Sequence, residues 1–289
     1  MKPEQLLFSL RHEQVVFVPN PGNAGDGLIA AAEYFLFRDL GLSFRVADAN
    51  APADVLEGET VIYGGGGNLV GLYGNARRYL ESCHRRVKRV VILPRTIREN
   101  EDLLAAFGKN VTIFCRDYES FDHVRRVNSV LNCYLSDDMA LILPIAEVLG
   151  RSKKLGYRWL DLLTLRFLKR VIRFLQHVFR SKGGFKVLNA FRGDIEGCGR
   201  DKEVFNVDVS QVLSGDNMSE SVCRETAYFV LKFINCFDKI RTDRLHVCIS
   251  AALLGKQVEF YDNSYGKNSS VYFHSLHARF PNVKLMMDS

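Results

Sequence analysis

Two arginines and a histidine are the residues best suited to chemistry in this 289-residue chain. Arg192 closes an apolar run in NAFRGDIE, and Arg244 opens TDRLHVCISAALLGK, directly before Leu245 and His246. A guanidinium presents a rigid planar fork of donors that matches a carboxylate or a phosphate. An imidazole gives or takes a proton near neutral pH. Together they suit a small anionic molecule that undergoes proton transfer. A third polar stretch, Tyr261-Asp262-Asn263-Ser264-Tyr265-Gly266-Lys267-Asn268, adds donors from Asn263, Lys267 and Asn268.

These residues need elements to hold them. The first half alternates β-branched runs with amphipathic stretches. Strands are predicted at Val15–Pro19, Ser43–Ala47, Thr60–Tyr63, Arg89–Leu93, Val111–Cys115 and Asn132–Leu135, with helices at 28–40, 76–86, 99–107 and 118–127. Such alternation implies an α/β fold with a mostly parallel sheet. The pattern breaks after Pro144 and resumes at a strand over Phe185–Phe191. A helix over 219–237, a strand at 239–241, a helix over 245–254, a strand at 258–261, a helix over 269–278 and a strand at 283–286 follow. The reading is two Rossmann-like domains, 1–143 and 185–289, joined by a connector over 144–184. Ligands of parallel sheets bind beyond the carboxyl ends of the strands. Arg192, Arg244 and the 261–268 loop all fall there.

Two loops of the first half fall there as well. Asn20-Pro21-Gly22-Asn23-Ala24-Gly25-Asp26-Gly27 follows the first strand. It lacks the spacing of either nucleotide-binding fingerprint. Asp26 reads as a helix N-cap or as a general base. The run Gly64-Gly65-Gly66-Gly67-Asn68 follows the third strand. Four glycines lose much backbone entropy on folding, so either another segment or a substrate presses close. Asn23, Gly65, Gly66 and Asn68 are the candidate ligand contacts here. Arg95 and Arg116-Asp117 also lie at strand ends. Ser136-Asp137-Asp138 reads as a turn or cap; no further ligand at suitable spacing points to a metal.

Taken together, NPGNAGDGLI at 20–29, YGGGGN at 63–68 and TDRLHVCISAALLGKQVEFYDNSYGKN at 242–268 resemble the polysaccharide pyruvyl transferase family. The last block is the most specific. The resemblance implies two Rossmann-like domains facing a cleft, similar to GT-B glycosyltransferases. It implies transfer of the pyruvyl group of phosphoenolpyruvate onto sugar hydroxyls of a surface polysaccharide or its lipid-linked precursor, as a pyruvate ketal, with no further cofactor. Arg244, Leu245 and His246 fall on the family's triplet for donor binding and catalysis, and Arg192 matches a further arginine. On this reading Arg192 and Arg244 clamp the anionic groups and His246 is proton donor or phosphate partner. Asp26, from the opposite domain, draws the proton from the sugar hydroxyl.

Charge is unevenly distributed. Residues 151–182 carry ten Lys/Arg and one acid, a net +9, while the rest of the chain has 29 basic and 32 acidic residues. One basic stretch with no nucleic-acid motif argues against a nucleic-acid binder. Within it, YRWLDLLTLRFLKRVIRFLQHVF at 157–179 has apolar residues at helical spacing. A basic amphipathic helix over 157–180 suits an anionic membrane surface, or else packs between domains with a solvated face. No secretory signal and no apolar run of spanning length is read, and the seven scattered cysteines suit a reducing compartment, so the expected location is cytoplasmic, free or peripheral on the inner membrane face. Two other functions share these features: a nucleotide-sugar glycosyltransferase, which needs a base pocket that no motif marks, and a non-catalytic partner in polysaccharide assembly.

Overall fold

The computed structural model describes residues 1–49, 56–150, 172, 176 and 186–286. The helix read over 157–180 and the glycine pair at 183–184 lie outside the described residues, apart from Ile172 and Gln176, both helical and exposed. Contacts divide the chain into two compact units. The first is Met1–Gly22, Ile29–Leu143 and Met218–Glu220; the second is Asn23–Leu28, Pro144–Asn217 and Ser221–Ser289. Sequence order puts Asp26 in the N-terminal half, but its contacts group it with the second unit.

The first unit is built on a wholly parallel seven-stranded sheet: β1 (Gln14–Val18), β2 (Ser43–Val46), β3 (Thr60–Tyr63), β4 (Gly66–Leu69), β5 (Arg89–Ile97), β6 (Val111–Cys115) and β7 (Asn132–Leu135), in the order β2-β1-β3-β5-β6-β7 with β4 also on β5. Runs such as VVFV, TVIY and VTIFC are buried throughout, as strands covered on both faces must be. Phe17 packs edge-on against Tyr34 and Phe37, at centroid distances of 5.1 and 4.9 Å, which seats helix Ala24–Asp39 on the sheet. Val16, Val61, Leu80, Ile92 and Val124 belong to one buried core cluster. Strand order reverses between β1 and β3, so the loops after these strands, the 20–23 and 64–65 turns, border the switch point.

That position accounts for the glycines. A Cβ on Gly64 would lie 2.9 Å from the backbone nitrogen of Asn20, and one on Gly65 would lie 2.7 Å from the carbonyl of Pro94. Gly65 N–H donates to buried Glu33 at 2.7 Å, and Gly64 C=O accepts from Arg95 Nη2 at 2.8 Å. Protein segments press on this turn. Gly65→Ala must push β5 aside and is expected to cost about 1–3 kcal/mol, read as a lower urea midpoint for the first unit; an unchanged midpoint would show that β5 yields freely.

β5 runs past the expected Leu93. Pro94 cannot donate a ladder hydrogen bond, and the register with β6 shifts between Ile92 and Arg95. The strand then recovers because β4 supplies a new partner, pairing Gly66 with Arg95 and Leu69 with Ile97. Around its end lies a buried polar network. Arg116 pairs with Asp138 at 2.7 Å and donates to Thr96 at 2.9 Å, while Asp117 caps helix Tyr118–Val127 by accepting from Ser120 N–H at 2.8 Å. Asp138 also caps the 3-10 turn Met139–Ile142.

The second unit has a four-stranded parallel sheet, β8 (Val187–Ala190), β9 (Lys239–Thr242), β10 (Gln257–Tyr261) and β11 (Val283–Met286), ordered β11-β10-β9-β8. Helix Glu220–Asn235 buries Phe229, Leu231 and Ile234, and helix Leu245–Leu253 buries Val247, Ile249 and Ala251. The last helix differs from its expected span: Lys267–Val271 is α-helical and Tyr272–Leu276 is a π turn. The α/β class with parallel sheets holds for both units.

Candidate active site

The loops at the carboxyl ends of β8, β9 and β10 come together within the second unit. Arg192 follows β8, and its backbone N–H donates to Asp243 Oδ1 at 2.9 Å. Asp243 follows β9 and is fully buried; its other oxygen accepts from Cys198 N–H at 3.2 Å. Burial pushes the Asp243 carboxyl above its usual range and the Cys198 thiol up to about 11. After β10, Asn268 donates through its amide to the Asp243 carbonyl at 2.6 Å and to the Tyr261 carbonyl at 3.0 Å. One buried asparagine thus ties two strand ends, while Asn263 Oδ1 accepts from Lys267 N–H at 2.8 Å.

Arg192 and Arg244 are only 6% and 4% exposed. Arg192 forks onto Asp194, Nε to Oδ1 at 2.6 Å and Nη2 to Oδ2 at 2.9 Å, and Nη1 donates to Glu196 at 2.7 Å. Arg244 Nη2 lies 3.1 Å from the same Asp194 Oδ2 and is tightly bonded to Asp208. The two guanidinium groups therefore meet on one carboxylate oxygen. Burial alone would lower the Arg192 pKa, but its hydrogen bonds to Asp194 and the charge of Glu196 outweigh it and hold the group above its ordinary value. For Asp194 the sign is reversed: burial raises its pKa, and the two arginines bring it below the usual carboxylate range. Glu196 also receives Lys267 Nζ, Asn263 Nδ2 at 3.3 Å and the Tyr265 hydroxyl at 3.3 Å.

His246 sits in the first turn of helix Leu245–Leu253, where the helix dipole favours an anion. Leu245, beside it, is buried. The His246 ring packs on the bare Cα of Gly25: a Cβ there would stand 2.5 Å from Nδ1. The start of helix Ala24–Asp39 is fixed by reciprocal bonds, Gly25 N–H to Asn23 Oδ1 at 2.8 Å and Asn23 N–H to Asp26 Oδ2 at 3.0 Å. Asn23 is thus the N-cap and Asp26 its partner three residues on, a capping box.

The structure brings together Arg192, Arg244, Asn263, Lys267 and Asn268, and separately sets His246 against Gly25, between Asn23 and Asp26. Gly65, Gly66 and Asn68 belong to the first unit, where Gly65 meets protein and the other two lie in β4. Sequence reasoning missed Asp194, Glu196 and Asp208. Their signal was present for two of them: in RGDIE, acids stand two and four residues after the arginine.

A family profile described as polysaccharide pyruvyl transferase matches residues 23–265. A curated protein of Bacillus subtilis (strain 168), named "Putative pyruvyl transferase EpsO", is 24% identical over 295 residues, covering 96% of this chain and 89% of that protein. A crystal structure of a functionally uncharacterized protein from Klebsiella pneumoniae subsp. pneumoniae NTUH-K2044 superposes with a TM-score of 0.76 at 30% identity, covering 99% of this chain and 97% of the other. With the family pattern running from the capped helix start at Asn23 through the β10 loop, this chain belongs to the polysaccharide pyruvyl transferases.

Proposed function

We propose that the chain transfers a pyruvyl group from phosphoenolpyruvate to sugar hydroxyls of a bacterial surface polysaccharide or its lipid-linked precursor, at the cytoplasmic side of the membrane, forming a ketal. The observation that carries this reading is the meeting of Arg192 and Arg244 on a single carboxylate oxygen. A donor with a carboxylate and a phosphate on one small skeleton needs two cationic forks in one place. The family supplies the transfer; the geometry suits the donor.

The chemistry balances as follows. A proton is added to the methylene carbon of the donor, and a sugar hydroxyl forms a bond to C2 and gives up its proton. A second hydroxyl then bonds to C2 and loses its proton as the C–O bond to phosphate breaks, and inorganic phosphate leaves. Arg192 and Arg244 hold the anionic groups, and His246 gives the proton or meets the departing phosphate. Asp26 receives a hydroxyl proton. Asn263, Lys267 and Asn268 hold the β10 loop and line the donor side.

Incubation with phosphoenolpyruvate and lipid-linked oligosaccharides tests this directly. The expected result is phosphate release, with a product mass increase matching a pyruvate ketal. Transfer of a sugar from a nucleotide sugar, with no phosphate released from phosphoenolpyruvate, would establish the glycosyltransferase reading instead.

A further inference from the structure

The anion site is already full. Three cations, Arg192, Arg244 and Lys267, face three acids, Asp194, Glu196 and Asp208. Each of the three guanidinium nitrogens of Arg192 donates to Asp194 or Glu196. A ligand bearing two or more negative charges cannot join this arrangement without leaving it strongly anionic, so one acid has to give way.

The three acids are held very differently. The Glu196 side chain is 4% exposed and is gripped by groups from two loops: Arg192 on one side, and Lys267, Asn263 and Tyr265 on the other. Asp208, at 19%, caps the turn Val209–Val212, accepting from Gln211 N–H at 3.4 Å, and also accepts from Gly193 N–H at 3.4 Å. Asp194 is the most exposed, at 31%. Among the described residues, its side chain accepts, beyond the two arginines, only from the N–H of Glu196, at 3.2 Å. It stands at the head of a tight turn closed by Gly197 N–H on the Asp194 carbonyl at 2.9 Å, and the next residue, Ile195, is 72% exposed. A rotation about the Asp194 side chain gives up one backbone bond, from Glu196 N–H, and breaks no helix cap.

We propose that Asp194 is an internal stand-in for the ligand's carboxylate: its carboxylate occupies the seat between Arg192 and Arg244 and must swing out before an anionic donor binds. This rests on the functional reading above for the identity of the donor, but not for the displacement itself. It also orients the donor. The donor's carboxylate takes the two-pronged seat on Arg192, and its phosphate falls on the side of Arg244. A competent state that is only fractionally populated weakens apparent affinity by that fraction. Asp194 therefore sets donor affinity and favours ligands whose own carboxylate can replace it.

Calorimetric titration of Asp194→Ala and Asp194→Asn tests the displacement, with Asp208→Asn as a control and thermal melts to verify folding. The probes are phosphoenolpyruvate, oxalate and inorganic phosphate. With Asp194→Ala, oxalate and phosphoenolpyruvate are expected to bind about tenfold more tightly than to the wild type, with smaller gains for Asp194→Asn and for Asp208→Asn, each of which removes one negative charge without emptying the seat on Arg192. Unchanged or weaker oxalate binding to folded Asp194→Ala would overturn the proposal and make Asp194 a brace for Arg192. If oxalate gains affinity while no variant binds phosphoenolpyruvate, the displacement stands and the donor assignment fails.

Discussion

His246→Ala is expected to lower turnover with phosphoenolpyruvate at least a hundredfold, while leaving the donor KM within a few-fold. A positioned acid or base contributes about 10²–10⁴ in rate. The two arginines proposed to carry donor binding hang from other bonds: Arg192 from Asp194, Glu196 and Asp243, Arg244 from Asp194 and Asp208. None of these partners is His246, so the loss should appear in kcat. Gly25→Ala provides the companion test, because its Cβ would stand 2.5 Å from Nδ1 and must displace the ring. It should lower the same parameter, by less, without removing the imidazole. Phosphate release at saturating donor, with a melt of each variant, measures both. Near-normal turnover by folded His246→Ala would remove the histidine from the chemistry.

The second large effect is on stability. Asp138→Ala is expected to destabilise the first unit by about 3–5 kcal/mol, because it strands a buried charge. Arg116 and Asp138 side chains are 1% and 0% exposed, and they meet at 2.7 Å. Asp138 also accepts from Ala140 N–H at 2.8 Å, so the alanine loses a cap together with an ion pair. Removing both charges should cost far less than removing one: Arg116→Met with Asp138→Leu is expected to recover a large part of the loss. Urea denaturation followed by far-ultraviolet circular dichroism checks this. Because the chain has two units, the first unit's transition must be resolved from the other before a free energy is assigned. A change below about 1 kcal/mol for Asp138→Ala would mean that water reaches Arg116.

Much of the scaffold could be read from β-branched runs. Thr60–Tyr63 and Val111–Cys115 are strands over the very residues expected, since buried parallel strands leave a dense apolar signature, and the edge strands Asn132–Leu135 and Val283–Met286 also match their expected spans. The signature failed where glycine or proline carried the chain. Gly66–Leu69 has no strand propensity of its own and becomes β4 only because the far end of β5 needs a partner. Helix Ala24–Asp39 begins ahead of the expected Leu28, since the capping box at Asn23 and Asp26 outweighs two poor helix formers, Gly25 and Gly27. At the site, the cations were legible because arginine and histidine stand out at strand ends. Their acidic partners were harder to assign: RGDIE places Asp194 and Glu196 close to Arg192, but the 193–208 stretch has no periodicity to say which way a side chain points.

The two sheets also differ in how they can be assembled. In the second unit each strand lies beside its immediate predecessor in the chain, from β8 through β11, so the sheet extends along one edge as the polypeptide lengthens. Each newly made strand finds its template already standing. In the first unit β2 is laid on one side of β1 and β3 on the other, so that sheet has to grow in both directions. During synthesis, the half bearing the arginine pair can therefore mature strand by strand in the order in which it leaves the ribosome.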